Sequence, residues 1–406
     1  MILEADDAVE IILKHIEPIS TERVSIFDAV NRISAESVVS RRNLPPFDTS
    51  AMDGYAIKAE DTANGSASLK VKGVIAAGDN VAGLSINNGE CYRIMTGAFL
   101  PCGADSVIQH ELTDNGKEIV NISQQVKNGF CVRYKGEDLK DGSVIERTGE
   151  RFTAYHIGRY VSAGIFYTAV YRKPRIALIS TGNEIADPAM QDNPDMIFDS
   201  NSQMAKIFFQ QLGAEVSYIG VVPDDKQALL DTFKSLKNFD MIVTSAGISA
   251  GDFDYMNLIA DQLGIKWHFN KINQKPGQHM AFGFMGHTPV FACPGNPVSA
   301  MFCNFYYTKP ALLKMMGLKE HRNKPVKVIL AEDVFKKKGR VQFDRVQLKI
   351  ENGVMKAYPF TTQDSHIIQS LVAANAYAKF TNEMVGTLKA GTEIYAYVFN
   401  AEQVLG

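Results

Sequence analysis

Downstream of Pro174 the chain alternates short, continuously apolar runs with longer amphipathic ones: RIALIS, SQMAKIFFQQLG, EVSYIGVV, KQALLDTFKSL, DMIVTSA, MNLIADQLG, PVFACP and PVSAMFCNFYY. A strand that is apolar at nearly every position must be covered on both faces, and the helices between such strands supply the covers. The pattern therefore predicts a doubly wound α/β domain built on a parallel sheet. Helix ends agree with it: Met204, Ile207, Phe208 and Leu212 fall on one helical face, and Gly213 follows in the place of a left-handed cap.

The remaining sequence has a different texture, and 406 residues exceed what a single core organises. Val9, Ile12, Leu13 and Ile16 form one face of an amphipathic helix, with Asp6 and Asp7 near its positive end and Pro18 near its close. From about Asn43 to Asp138, short β-like runs (LKVKGVIAAG, CYRIMTG, DSVIQHE, KEIVNIS) are separated by Gly, Asn and Asp turns. Arg151 to Ala169 is again compatible with helix. The expected organisation is multidomain: a discontinuous, elongated, mainly helical domain (1–42 and 139–172), an inserted β-rich domain (43–138), the α/β domain (173–318) and a small C-terminal β domain (322–406). In the last, KIENGVMKAYPF puts Asn352 and Gly353 at the φ > 0 positions of a tight hairpin. The basic run Lys336 to Arg340 reads as a solvated hairpin tip.

Composition narrows the partners. With 42 basic and 45 acidic residues the formal charge is -3, which gives no field for general attraction to nucleic acid or membrane. The five cysteines (Cys91, Cys102, Cys131, Cys293, Cys303) are scattered without CxxC spacing, against a disulfide framework or structural zinc. The segment Met1 to Asp7 is acidic where a secretory signal needs basic residues, and no run approaches the ~20 apolar residues that span a bilayer, so a cytoplasmic location is expected. There is no HExxH, Walker or GxGxxG sequence.

Ligands of doubly wound sheets bind beyond the carboxyl ends of the strands. Four loops occupy that edge: STGNE (180–184), PDD (223–225), TSAGISAGDFD (244–254) and PGNPVS (294–299). In the last, Asn296 stands as N-cap and Pro297 as first helical residue, which would leave the N–H groups of Val298 and Ser299 facing the cleft. Gly247 and Gly251 allow backbone to approach an anion closely. The candidate substrate-binding set in these loops is Ser245, Gly247, Gly251, Pro294, Gly295, Asn296, Pro297 and Ser299. Glu184, Asp225, Asp252 and Asp254 add oxygen donors suited to Mg²⁺, through which acids can serve a phosphate that glycine N–H groups touch directly. Lys271 and Lys275 can neutralise the same anion. Each has a plainer reading: Asp225 as the cap of KQALL, Glu184 as a solvated turn residue, Asp252 as a turn residue, the lysines as surface charges. Convergence on one sheet edge is what favours a site.

Eight separated segments then carry a resemblance: PPFDTSAMDGYAI (45–57), RIMTGA (93–98), RYKGEDL (133–139), STGNE, DSNS (199–202), the loop 244–255, KPGQHMAFG (275–283) and CPGNPVSA (293–300). In order and over the full length, the chain resembles the MoeA family of molybdopterin molybdenumtransferases, relatives of the gephyrin C-terminal domain. The resemblance implies a four-domain elongated subunit in a homodimer. It also implies Mg²⁺-dependent transfer of molybdenum from molybdate to the dithiolene of adenylylated molybdopterin, with AMP released, and possible exchange with other cofactor-biosynthesis proteins or molybdoenzymes. The family's cleft lies between the α/β domain of one subunit and the β-rich domain of the other. Asp53, Thr96 and Asp138 would come across that interface, and Glu184, Asp225, Asp254, Lys271, Lys275, Pro294 and Pro297 from the α/β domain. In the implied roles Asp254 and Glu184 hold the metal or its waters, the two lysines neutralise phosphate or oxyanion, and Asp53 orients water or molybdate. Two departures stand out: Ser245, Ala246 and Gly247 where the family has SGG, and Gln278 and His279 where it has KPGKP. They motivate a second reading, a non-catalytic binding or carrier protein for molybdopterin or its metallated form. A third, a Mg²⁺-dependent nucleotide phosphotransferase, lacks a Walker-type lysine loop.

Overall fold

The computed structural model describes residues 3–189, 195–245 and 255–405. Its α/β domain contains strands β1 (Arg175–Thr181), β2 (Glu215–Val222), β3 (Met241–Ser245), β4 (Ile265–Phe269), β5 (Ala281–Met285) and β6 (Thr288–Cys293), in the spatial order β2-β1-β3-β6-β5-β4. β2, β1, β3 and β6 run parallel, whereas β5 is antiparallel to β6 and β4 to β5. The sheet is therefore mixed and not wholly parallel. Only Gly286 and His287 separate β5 from β6, with Gly286 at φ 62°, and so short a connection makes a hairpin where a parallel pair needs a crossover.

Both faces are covered, as the apolar strands require. Ile176 and Leu178 enter one core with Phe209, Phe291 and Phe302, while Ala177 and Ile179 enter another with Leu229, Phe233 and Ile259. The helix Ser200–Leu212 ends at Gly213 with φ 104°. Its buried positions are Ser202, Ala205 and Phe209, and Ile207 is 58 % exposed, so the inward stripe is rotated from the one that hydrophobicity indicates. Small residues at 202 and 205 let this helix lie close to the sheet, which turns Ile207 outward.

The C-terminal segment forms a closed five-stranded barrel from Val326–Leu330, Val341–Glu351, Val354–Pro359, Ala376–Phe380 and Glu393–Val398. Asn352 and Gly353 take φ 51° and 77° at the expected hairpin. The basic run behaves differently from its sequence reading. In the strand Val334–Lys336 the apolar Phe335 is 65 % exposed, and Lys336 is fully buried, its Nζ donating to the Lys337 carbonyl at 3.2 Å. Strand alternation fixes this inversion, because Val334 must face the barrel and Lys336 shares its face.

One core joins these parts. The helix Pro297–Cys303 continues through a π turn, Asn304–Thr308, into Lys309–Met315, and all five residues of the π turn are buried. Phe302 and Tyr306 pack against Phe343 and Tyr377 or Tyr397 of the barrel. The N-terminal helix Ala5–His15 docks Ala5, Ala8, Ile12 and Ile16 on the same cluster, and its Asp6 accepts from Tyr306 Oη (2.9 Å) and Lys379 Nζ (2.6 Å). This helix thus leans on the α/β domain and barrel. The passages 21–39 and 144–171 meet chiefly as two-stranded ribbons, Thr21–Ser25 with Tyr167–Tyr171 and Val38–Val39 with Val144–Glu146. Within Arg151 to Ala169 only Ala154–Ser162 is helical, since the alternating YTAVY behind it suits a strand. No helix among the described residues is long and apolar enough to cross a membrane.

In the inserted region a five-stranded sheet runs Ser106–Gln109, Gly54–Ile57, Glu90–Ile94, Ala67–Ile75, Ile119–Ile122. Its central Gly54–Ile57 and Glu90–Ile94 strands are antiparallel neighbours with Gly54 opposite Ile94, which brings Asp53 and Thr96 to one end of the sheet.

Gly317 tests how the ribbons are anchored: it sits at φ 78°, and a Cβ there would lie 2.1 Å from the Tyr171 ring. Gly317→Ala should destabilise the protein by more than the about 1–2 kcal/mol that positive φ alone costs an L-residue, measured by urea unfolding.

Candidate functional site

The chain passes from β1 to β2 on one side and then crosses back over β1 to β3 on the other, which makes the carboxyl ends of β1 and β3 a topological switch point. A cavity of about 750 Å³ opens there. Ser180, Thr181 and Glu184 line it behind β1, Ser245 ends β3, and Pro294, Gly295, Asn296 and Pro297 follow β6. The helix starting at Ser200 contributes Asp199, Ser200 and Asn201. Five of the substrate-binding candidates, Ser245 and 294–297, are therefore brought together with Glu184. Ser299 is buried in its helix and does not line the cavity.

Hydrogen bonds hold the walls. Asn201 Nδ2 donates to Ser245 Oγ (2.9 Å) and to the Gly295 carbonyl (2.7 Å), tying together the ends of three elements. Asp199 Oδ1 caps its helix at Ser202 N (3.0 Å), and the hydroxyls of Ser202 and Ser180 lie 2.7 Å apart. Two buried atoms of lining residues, Thr181 Oγ1 and Asn201 Oδ1, have no hydrogen-bond partner among the described residues. A buried group left so costs about 1–3 kcal/mol.

The acids divide. Gly182, at φ 141°, approaches Glu184 so closely that a Cβ would stand 2.9 Å from its carboxylate. Asp225 is the N-cap of Lys226–Ser235, accepting from Ala228 N at 2.8 Å, which is its plainer reading. Its neighbour Asp224 is the acid that senses Glu184: burial, then the Glu184 charge, push its carboxyl up. Asp254, Asp252, Ala246, Gly247 and Gly251 lie outside the described residues. Among the described residues, no group of three or more His, Cys, Asp or Glu is arranged to hold a metal. The half-buried Asp224 beside the exposed Glu184 is a like-charge pair whose repulsion a divalent cation relieves, so the donors present fit Mg²⁺ with water completing its shell.

The barrel supplies a wall that sequence reasoning misses. His366 and Ile368 line the cavity opposite the β-strand loops. Ser365, 69 positions from Asn296 in the chain, accepts Val298 N at its carbonyl (3.1 Å) and Asn296 Nδ2 at its hydroxyl (3.0 Å). The N–H of Val298 is thus used within the protein, contrary to the expectation that it faces the cleft. Buried Arg345 sets this loop, donating through Nη2 to the Thr362 and Asp364 carbonyls, both at 3.2 Å. No local pattern in TTQDSH marks it; only the closed barrel brings it here.

Lys275 is exposed on the short strand Gln274–Lys275, which pairs with Val341 and Gln342 of the barrel. Its charge acts on Asp344, whose carboxyl is pushed up by burial against two hydrogen bonds from Gln342 and the charges of Lys275, Arg345 and Lys336. Lys271 is exposed and makes no ion pair among the described residues. His279 lines the cavity, while Gln278 Oε1 accepts from Arg340 Nη1 at 2.6 Å, bringing a guanidinium from the barrel to that position.

Asp53 and Thr96 form a second locus on the inserted sheet. Asp53 Oδ1 accepts from Thr96 N and from Thr96 Oγ1, each at 2.7 Å. These bonds hold the Asp53 carboxyl below the usual range, backbone first, with His110 and Arg93 adding charge. Asp138 is exposed and bonds Leu44 through its backbone, and among the described residues no hydrogen bond or ion pair links any of the three to the cavity within one chain. A depressed carboxyl contributes stability above its unfolded-state pKa and loses it as pH falls through the folded value. Thr96→Val removes one of the two bonds, so the Asp53 carboxyl should titrate at higher pH than in the wild type, read by NMR of its side-chain carbonyl.

A mixed α/β sheet with a cavity at its switch point, walled on one side by a β-barrel loop, defines a multidomain small-molecule-binding protein. Residues 3–164 match the model of the MoeA N-terminal region (domain I and II), 177–314 that of a probable molybdopterin binding domain, and 327–399 that of the MoeA C-terminal region (domain IV). The chain is 32 % identical over 387 residues to a molybdopterin molybdenumtransferase of Haemophilus influenzae, covering 94 % of this chain and 95 % of that one. It is 31 % identical over 389 residues to molybdopterin molybdenumtransferase 2 of Mycobacterium tuberculosis, covering 92 % and 94 %. Two crystal structures of the molybdopterin biosynthesis MoeA protein of Pyrococcus horikoshii superpose with TM-score 0.84, at 30 % and 28 % identity, covering 98 % of this chain and 100 % of theirs. The chain belongs to the MoeA family of molybdopterin molybdenumtransferases, in molybdenum cofactor biosynthesis.

Proposed function

We propose that this chain is a molybdenum insertase that moves molybdenum from molybdate onto the dithiolene of adenylylated molybdopterin, with Mg²⁺-dependent cleavage of the phosphoanhydride and release of AMP. The observation that carries the reading is the switch-point cavity, which Glu184, Ser245 and residues 294–297 line together and whose walls Asn201 ties through Ser245 and Gly295. Mg²⁺, when bound, would neutralise phosphate charge and activate a phosphoryl oxygen. Glu184 and Asp224 would hold it or its waters, with Asp254 as the third acid. Lys271, Lys275 and the barrel's Arg340 would supply positive charge for the incoming oxyanion, and Asp225 would act through the helix it caps.

The second locus fits a homodimer. Thr96 holds Asp53 in place and Asp138 is exposed, so these residues would complete the cavity of a partner subunit and orient water or molybdate. A carrier reading draws on Gln278, but Arg340 returns a cation to that position, which favours the enzyme. The domain limits proposed are those read from the sequence, with the N-terminal helix docked on the α/β domain.

Purified protein incubated with adenylylated molybdopterin, Mg²⁺ and molybdate should release AMP and metallated cofactor together; stoichiometric binding without AMP identifies a carrier instead. Glu184→Gln and Asp254→Asn should each lower the rate of AMP release on the order of 100-fold, as loss of a preorganised charge does, with cofactor binding retained. Wild-type rates in both variants would remove the metal assignment.

A further inference from the structure

We propose that His15 and His268 form a binding site for a late divalent transition-metal ion of the zinc, nickel or copper(II) class, pinning the N-terminal helix to the outer strand of the α/β sheet. The two side chains come from opposite ends of the sequence: His15 closes the helix Ala5–His15, and His268 lies on β4, the outermost strand. Their ring centroids are 4.0 Å apart with the planes tilted by 36°. Two protonated imidazoles at that separation repel, so the arrangement suits neutral rings or rings sharing one cation. His15 Nδ1 lies 2.8 Å from the Ile11 carbonyl, which can only accept. The proton is therefore on Nδ1 and the Nε2 lone pair is free, the state in which a backbone-anchored histidine serves as a ligand.

His268 is held on its other side by Phe282, stacked at 5.6 Å, and Phe284, edge-on at 5.8 Å. The surroundings favour a cation. The carboxyl end of the helix dipole points at His15, and Glu17 lines the adjoining hollow of about 420 Å³, where Asp240 is already paired with Arg172. Lys14 and Lys266 lie next to the pair in the chain and temper this field. Two nitrogens about 2.0–2.1 Å from the ion, with water in the other positions, make an open site of modest affinity, tightest for copper(II). Neither histidine lines the switch-point cavity, so the proposal stands apart from the catalytic reading.

Trp267, the only tryptophan of the chain, precedes His268 and gives a built-in reporter, since copper(II) quenches indole emission at short range. Titration of the full chain with copper(II) chloride should give saturable quenching at one equivalent, reversed by a large excess of zinc. His15→Gln and His268→Gln, both at exposed positions, should each weaken it at least ~10-fold. Absence of quenching, or equal quenching in wild type and both variants, overturns the site. On the unaltered protein, diethyl pyrocarbonate modification of His15 and His268, read by mass spectrometry, should be suppressed by zinc; undiminished labelling of both overturns it as well.

Discussion

The interaction on which the architecture rests is the aromatic pack around Phe302. This ring lies 4.7 Å from Phe343 and 5.2 Å from Tyr377 of the barrel, and 5.4 Å from Tyr306 of its own helix, while Tyr306 in turn meets the N-terminal helix through Asp6. Side chains in such close packing have few alternative rotamers, so the orientation of the barrel on the α/β domain is fixed by shape more than by charge. Phe302 sits within two turns of Pro297, which lines the cavity. Domain packing and cavity shape are thus one constraint: the barrel that buries Phe302 also delivers Ser365 to the helix start and His366 to the cavity wall.

Within that frame the site is built from unfinished hydrogen bonding and not from a ready metal cage. Asn201 spends its amide nitrogen on Ser245 and Gly295 and keeps its oxygen unpaired; Thr181 does the same with its hydroxyl. Burial, then the Asp199 carboxylate, push the Tyr218 phenol up. The raised carboxyl of Asp224 loses stability as pH rises through its folded value unless a cation offsets the Glu184 charge.

The legible parts of this structure were those with short-range periodicity. The alternation of apolar strands and helices led to the α/β domain and, through the strand-end rule, to Glu184, Ser245 and residues 294–297 on one cavity. Asn352 and Gly353 were legible for the same reason, since a two-residue turn is a local event. The antiparallel β5 was hidden although its hairpin is local, because AFGFM has no signature separating it from a loop segment. The rest of what could not be read was set by pairings distant in sequence. Lys336 reads as solvent-exposed from its charge and is buried because the alternation of its strand is anchored by Val334. The Ser365 and His366 wall depends on Arg345 gripping 362–364, a contact made possible only by barrel closure. In Asp225 the plainer helix-cap reading matches its geometry, and its neighbour Asp224 carries the coupling to Glu184.

The π turn at Asn304–Thr308 has an implication for how such a molecule could have been assembled. A wide turn takes in one more residue than an α turn does, so it acts as a phase adjuster along a single rod of backbone. Upstream, the rod faces the strand-end loops; downstream, Ala311, Leu312 and Met315 face the N-terminal helix. Each α residue advances the azimuth by about 100°, so excising one residue from the turn would swing the downstream half through roughly that angle and leave the upstream half unmoved. The wide turn therefore sets the angle at which the helix carrying the pocket meets the joint with the N-terminal helix.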